Sequence, residues 1–121
     1  MATSKPKHER HTGRHTAEFL LLFLAEEDSY GGRLLQKCEQ EIPVNPIDSA
    51  ILYRTLKKLE EEGAVESYWG GMELEKPVKM YRITDTGRDK LAEFHLYIEN
   101  KMRNLTFFMN KYSEWKESDR D

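Results

Sequence analysis

Among 121 residues the side chains able to do covalent or metal chemistry are few and badly placed for it. Cys38 is the only cysteine, sits inside a helical pattern and has no histidine near it in sequence, so it reads as a small buried side chain rather than a nucleophile. His8, His11 and His15 lie in a polar N-terminal stretch that offers neither a cysteine partner nor the four fixed ligands of a structural zinc site, so no metal and no cofactor are expected. There is no phosphate-cradling glycine loop, no Gly-x-Ser-x-Gly and no His-Glu-x-x-His, and enzymatic chemistry finds no support. The remaining chemistry is that of charge and hydrogen bonding. Ser49, Ala50, Tyr53, Arg54, Lys57 and Lys58 fall off the apolar stripe of one helical segment, and Lys76 and Lys79 flank a proline in a later loop. Small and hydroxyl side chains let a helix enter the ~12 Å major groove of a duplex, and arginine binds guanine or phosphate. The same pattern also suits an ordinary solvated helix face, and at this level both readings stand open.

The elements that position these residues follow from periodicity. A first helix from about Thr16, taken as its N-cap, to Glu27 is apolar on nearly every face over Phe19–Leu24, which predicts burial on several sides and a central place in the core. Asp28-Ser29-Tyr30-Gly31-Gly32 reads as a break. Leu34, Leu35 and Cys38 then give a short second helix ending near Glu41, and Pro43 and Pro46 interrupt it. A third helix starts at an Asp48 cap, with Asn45 followed by Pro46 as the alternative start. Leu52, Leu56 and Leu59 turn inward, and Gly63 ends it. The acids Glu60 to Glu62 at its far end should point away from a groove. The period then becomes two: Val65, Ser67 and Trp69 mark one strand, Tyr81 and Ile83 another, with Gly70, Gly71 and Pro77 in the loop. Thr84 caps a last helix reaching about Lys116, on the order of 50 Å long. The fold class is therefore mainly α, a winged helix-turn-helix of three helices and a two-stranded wing with a long C-terminal helix. Residues 1–15 form a basic arm, 16–84 the winged domain and 85–121 the C-terminal helix with an acidic tail.

That last helix is too long to cover only its own domain. Leu91, His95, Ile98, Met102, Leu105, Met109 and Tyr112 alternate spacings of four and three, the seam of a coiled coil, and predict a homodimer. Phe94, Phe107, Phe108 and Trp115 lie outside the seam, so the apolar surface is broader than two strands need. Aromatic and methionine side chains at such an interface suit a small hydrophobic effector, with Phe19, Phe23, Phe108 and Trp115 as the candidate pocket. The net charge of −3 does not announce a nucleic-acid binder. Lys5, Lys7, Arg10 and Arg14 nonetheless gather at the N-terminus. The longest apolar run, Phe19–Ala25, is far short of a bilayer span and runs straight into Glu26, Glu27 and Asp28 instead of a cleavage site. No membrane association is expected, and a cytoplasmic location is.

Taken together, the leucine-rich first helix, Tyr30-Gly31, Ile51-Leu52-Tyr53-Arg54 with Leu56, Leu59-Glu60 and Gly63, Ser67-Tyr68-Trp69-Gly70, Tyr81-Arg82-Ile83-Thr84 and Gly87-Arg88 resemble the PadR family of transcriptional regulators over about Thr16 to Phe94. The resemblance implies a dimeric winged-helix repressor of double-stranded operator DNA, and some members of that family release DNA on binding phenolic acids or hydrophobic drugs. The single C-terminal helix is similar to the shorter of the family's two C-terminal arrangements. With the resemblance, the outward face of the third helix is read as the DNA contact. Two features depart from the family's pattern. The wing reads Glu73-Leu-Glu-Lys-Pro-Val-Lys79 instead of a run of basic residues, leaving its phosphate contact to Lys76 and Lys79, and Gly32 stands where an aromatic residue is common. The negative net charge and the acid-bearing wing keep open the alternative, a winged helix that binds protein instead of DNA.

Overall fold

A computed structural model describes residues 15–71 and 75–119. Its elements are α1 (Thr16–Glu26), β1 (Ser29–Tyr30), α2 (Gly31–Glu41), α3 (Ser49–Glu61), β2 (Val65–Gly70), β3 (Val78–Ile83) and α4 (Asp85–Asp119). The chain is mainly helical, with the winged helix-turn-helix order that the periodicity predicts.

The wing differs from the expected hairpin. β1, β3 and β2 form an antiparallel three-stranded sheet in that order, with Ser29 opposite Tyr81 and Tyr30 opposite Met80. The segment read as a break is thus a two-residue strand that runs directly into α2. Its register is dictated by β3, some fifty residues on, and two residues are too few to show a period. This third strand also helps a hairpin that would be marginal alone. The β2–β3 ladder runs from Val65 opposite Ile83 to Gly70 opposite Val78.

At the start of α1, Thr16 is not the cap but the first helical residue. Its side chain is buried, and the cap falls on His15 in the left-handed region at φ 55°, with no side-chain cap bond. α3 starts as expected: Asp48 Oδ1 accepts a hydrogen bond from the Ile51 amide at 2.8 Å, which satisfies one of the helix's orphan donors. Asn45 does not open the helix. Its Oδ1 accepts from the Ile47 amide at 3.0 Å in a turn that drops Ile47 into the core. At the other end Gly63 takes φ 78°, a conformation that costs a side-chain-bearing residue but not glycine.

The chain divides into two compact units between Leu91 and Ala92. The first is built on Leu20, Leu21 and Leu24 of α1, Leu34 and Cys38 of α2, and Leu52, Leu56 and Leu59 of α3. Val65, Tyr81 and Ile83 of the sheet close this core. α1 packs on α2, α3 and β3, the central position predicted for it, although Leu22 is exposed. The second unit is a single run of α4, from Ala92 to the helix's last residue, Asp119. No helix among the described residues is long and apolar enough to cross a membrane.

Candidate nucleic-acid interface

The leucine stripe fixes which way α3 faces. Leu52, Leu56 and Leu59 are at most 2% exposed, so the helix cannot rotate without opening the core, and Ser49, Ala50, Tyr53, Arg54, Lys57 and Lys58 are all exposed on the outer side. Sequence periodicity placed these six correctly on one face. What it missed is how Tyr53 is seated. Its ring lies so close over Gly31, the first residue of α2, that a methyl group there would overlap ring carbons and the hydroxyl. Gly31 has no positive φ, so the glycine is required by this approach and not by backbone conformation.

Electrostatics separates this face from the rest of the first unit. Among the described residues, Arg33, Lys37, Lys79, Arg82, Arg88 and Lys90 each lie within 4.0 Å of a carboxylate. Arg54, Lys57 and Lys58 of α3 and Lys76 of the wing have no carboxylate partner among the described residues. Lys37 alone faces three acids, Glu26, Glu27 and Glu41. The unpaired cations therefore gather on the outward side of α3 and in the wing loop.

Two of the three acids at the end of α3 are engaged elsewhere. Glu62 pairs with Lys90 at 3.6 Å. Glu60 turns toward the sheet, where it accepts a hydrogen bond from Ser67 Oγ at 2.6 Å and lies 3.5 Å from Lys79 Nζ. Lys79 also stands 5.6 Å from the centre of the Tyr81 ring. An open cleft of about 400 Å³ runs here between α3 and β3, lined by Lys57, Glu60, Glu61, Lys79 and Tyr81.

The wing is held at both ends. At its base Thr84 Oγ1 donates to the Gly63 carbonyl at 2.6 Å and accepts from the Gly87 amide at 3.1 Å, capping α4 while tying it to the end of α3. A side chain at Gly87 would collide with the Ala64 carbonyl. Nearer the tip, Tyr68 donates to Asp28 Oδ2 at 2.6 Å and carries Arg82 over its ring at 4.8 Å. That hydrogen bond, with burial second, holds the Tyr68 hydroxyl above the ordinary tyrosine range. Trp69 is exposed on the wing's other face. Glu73 lies outside the described residues, as do the basic residues of the N-terminal arm and two of its histidines, His8 and His11.

On α4, Leu91 is half-buried against the core of its own domain, and His95 is exposed with Nε2 3.9 Å from Glu99. Ile98 is half-buried, while Met102, Leu105, Met109 and Tyr112 are exposed, together with Phe107, Phe108 and Trp115. Phe108, Tyr112 and Trp115 form a run of neighbouring rings, with centroids 6.3 and 5.6 Å apart. Of the other two candidate pocket residues, Phe23 is buried with Lys37 Nζ 5.6 Å from its ring centre, and Phe19 is half-buried.

Residues 20–93 match the model of the transcriptional regulator PadR-like family. An uncharacterised protein of Lysinibacillus sphaericus is 30% identical over 80 residues, which span 65% of this chain and 73% of that protein. Among solved structures, a conserved protein of unknown function described as a potential transcriptional factor superposes with a TM-score of 0.72. It is 28% identical, over 93% of this chain and 96% of its own. A transcriptional regulator from Clostridium thermocellum gives a TM-score of 0.68 at 25% identity, over 88% of this chain and 98% of its own.

Proposed function

For a chain that belongs to the PadR-like family of transcriptional regulators, we propose the role of a cytoplasmic, homodimeric repressor that binds specific operator DNA and releases it on binding a small hydrophobic or phenolic effector. The observation that carries the DNA reading is the placement of Arg54, Lys57, Lys58 and Lys76, exposed and without carboxylate partners among the described residues while the neighbouring cations are paired. A cation already neutralised by a carboxylate has little to offer a phosphate, and one that is not neutralised releases a counterion when it meets one.

In this reading the first turns of α3 enter the major groove. Ser49 and Ala50 let the backbone approach, and Tyr53 and Arg54 reach base edges or phosphate. Lys57 and Lys58 take the flanking phosphates, with Lys76 on the wing side, while Lys79 lies 3.5 Å from the Glu60 carboxylate. The exposed seam of α4 pairs with a second copy, burying Met102, Leu105, Met109 and Tyr112. The dimer then addresses two half-sites about 34 Å apart. An effector releases DNA only by preferring another spacing of the two wings, because a ligand with equal affinity for both states shifts nothing.

The test is titration of the purified protein with the duplex upstream of its own coding sequence at several salt concentrations. The affinity falls steeply with salt if phosphates are contacted; weak binding that is indifferent to salt and sequence supports a protein-binding winged helix instead. Aromatic compounds that quench Trp115 or Trp69 fluorescence and weaken operator binding support the effector. Quenching with unchanged DNA affinity removes its regulatory role.

A further inference from the structure

We propose that Glu60 withholds Lys79 from DNA and thereby sets one phosphate contact's worth of the protein's hold on any duplex. The inference rests on the reading that α3 and the wing face DNA. Lys79 is one of the two wing lysines left to meet phosphate in an acid-bearing loop, yet its ammonium lies 3.5 Å from the Glu60 carboxylate. That carboxylate is not free to swing aside. Its second oxygen accepts the Ser67 hydroxyl at 2.6 Å, and Ser67 is fixed in the sheet opposite Tyr81, whose ring lies 5.6 Å from the same ammonium. Glu60, Ser67, Tyr81 and Lys79 thus form a closed set across α3, β2 and β3.

A phosphate entering the cleft between α3 and β3 meets Lys57 from α3 and Lys79 from β3, with Glu60 and Glu61 in the same lining. Taking Lys79 requires breaking a charge-assisted pair already in place and approaching two carboxylates, whereas Lys57 has no carboxylate partner to leave among the described residues. Lys79 therefore stays with Glu60 in the complex, and the phosphate is held by α3. The loss is independent of sequence, so Glu60 weakens attachment to every stretch of duplex alike.

The experiment compares four proteins, wild type, Glu60→Gln, Lys79→Ala and the double variant, by fluorescence anisotropy with a labelled mixed-sequence duplex over a series of potassium chloride concentrations. Gln keeps an oxygen for the Ser67 hydroxyl and removes only the charge, and Lys79→Ala shortens a half-exposed side chain; circular dichroism and urea midpoints check that each variant folds. Glu60→Gln is expected to steepen the slope of log K against log salt by about 0.9. At 0.1 M salt that makes binding roughly eightfold tighter, for affinities that converge near 1 M. Lys79→Ala leaves the wild-type slope unchanged, and the double variant matches Lys79→Ala. The proposal is overturned if Lys79→Ala alone flattens the slope by about 0.9, since Lys79 then already holds a phosphate. It is overturned equally if Glu60→Gln changes nothing, or if its gain survives in the double variant, where only relief of repulsion remains. A wild-type protein whose binding ignores salt overturns both this inference and the DNA reading, while a steep wild-type slope with an unresponsive Glu60→Gln overturns this inference alone.

Discussion

Gly31→Ala should leave the fold nearly as stable as before and yet damage DNA binding, because the atoms nearest to the methyl group all belong to the end of the Tyr53 side chain. The contacts it would make are with Cζ, Cε1 and the hydroxyl of Tyr53, the far end of a flexible side chain, so the ring swings out and the backbone need not move. Tyr53 is 51% exposed, so only about half its surface is covered to begin with. Fully burying an aromatic of this kind is worth roughly 1.5–3 kcal/mol, and loss of half the cover costs about 1 kcal/mol. Against this, alanine at a helical position regains up to about 0.5–1 kcal/mol of the glycine penalty. The net change in stability stays within about 1 kcal/mol, read as a small shift of the urea midpoint. A Tyr53 displaced from its seat forfeits the DNA contact proposed for it, worth roughly 1–3 kcal/mol, or about five- to 150-fold in affinity. Anisotropy titration with the duplex upstream of the coding sequence measures it, and Tyr53→Ala supplies the control: in that background Gly31→Ala should cost nothing further. Wild-type affinity in Gly31→Ala, or an equal loss with Tyr53 already removed, refutes the reasoning.

Arg54→Ala should weaken operator binding by roughly 1–3 kcal/mol with native circular dichroism, since its side chain lies off the leucine stripe; unchanged affinity removes α3 from the interface. Asp48→Ala deletes the cap bond to the Ile51 amide and should cost about 1 kcal/mol in urea unfolding, with the loss of helix confined to the start of α3. Cys38 is buried, and burial first, then Glu39, pushes its thiol above the ordinary value of 9.0; Tyr68 and Tyr81 are likewise raised from 10.0. Raised folded-state values favour the protonated forms, so their stabilisation is whole below pH 9, falls as the pH climbs through the raised values, and shows as alkaline loss of stability together with slow native-state thiol labelling. Full-length protein should scatter light as a dimer at micromolar concentration, and truncation after Phe94 should leave it monomeric or insoluble; a well-behaved full-length monomer rejects the seam.

What was legible in the sequence is what local physics decides. The Asp48 cap, the inward Leu52, Leu56 and Leu59, the left-handed Gly63 and the Thr84 cap each depend on residues within a turn or two, and each is where the pattern places it. The misses are pairings across distance. β1 exists because Ser29 and Tyr30 find Tyr81 and Met80, and nothing within those two residues announces it. Gly31 reads as a helix breaker until Tyr53 is seen above it, and Glu60 reads as one of three acids pointing away from a groove until Ser67 and Lys79 meet it. Thr16 fails as a cap because the helix already includes it, which moves the cap position back to His15.

The same distinction explains why a net charge of −3 is a poor guide here. At physiological salt a charge is screened over about 8 Å, so a phosphate responds to the cations it touches and hardly at all to the sum over the molecule. In the first unit several acids lie against cations away from the outer face of α3. Glu26, Glu27 and Glu41 surround Lys37, Glu27 also holds Arg33, Glu66 holds Arg82, and Glu62 holds Lys90. Exposed pairs of this kind add little to stability. Their consequence is electrostatic: within the first unit they leave Arg54, Lys57, Lys58 and Lys76 as the cations without carboxylate partners among the described residues. A negatively charged protein can in this way present a locally positive face, with weak long-range steering toward DNA but full short-range attraction once the face has docked.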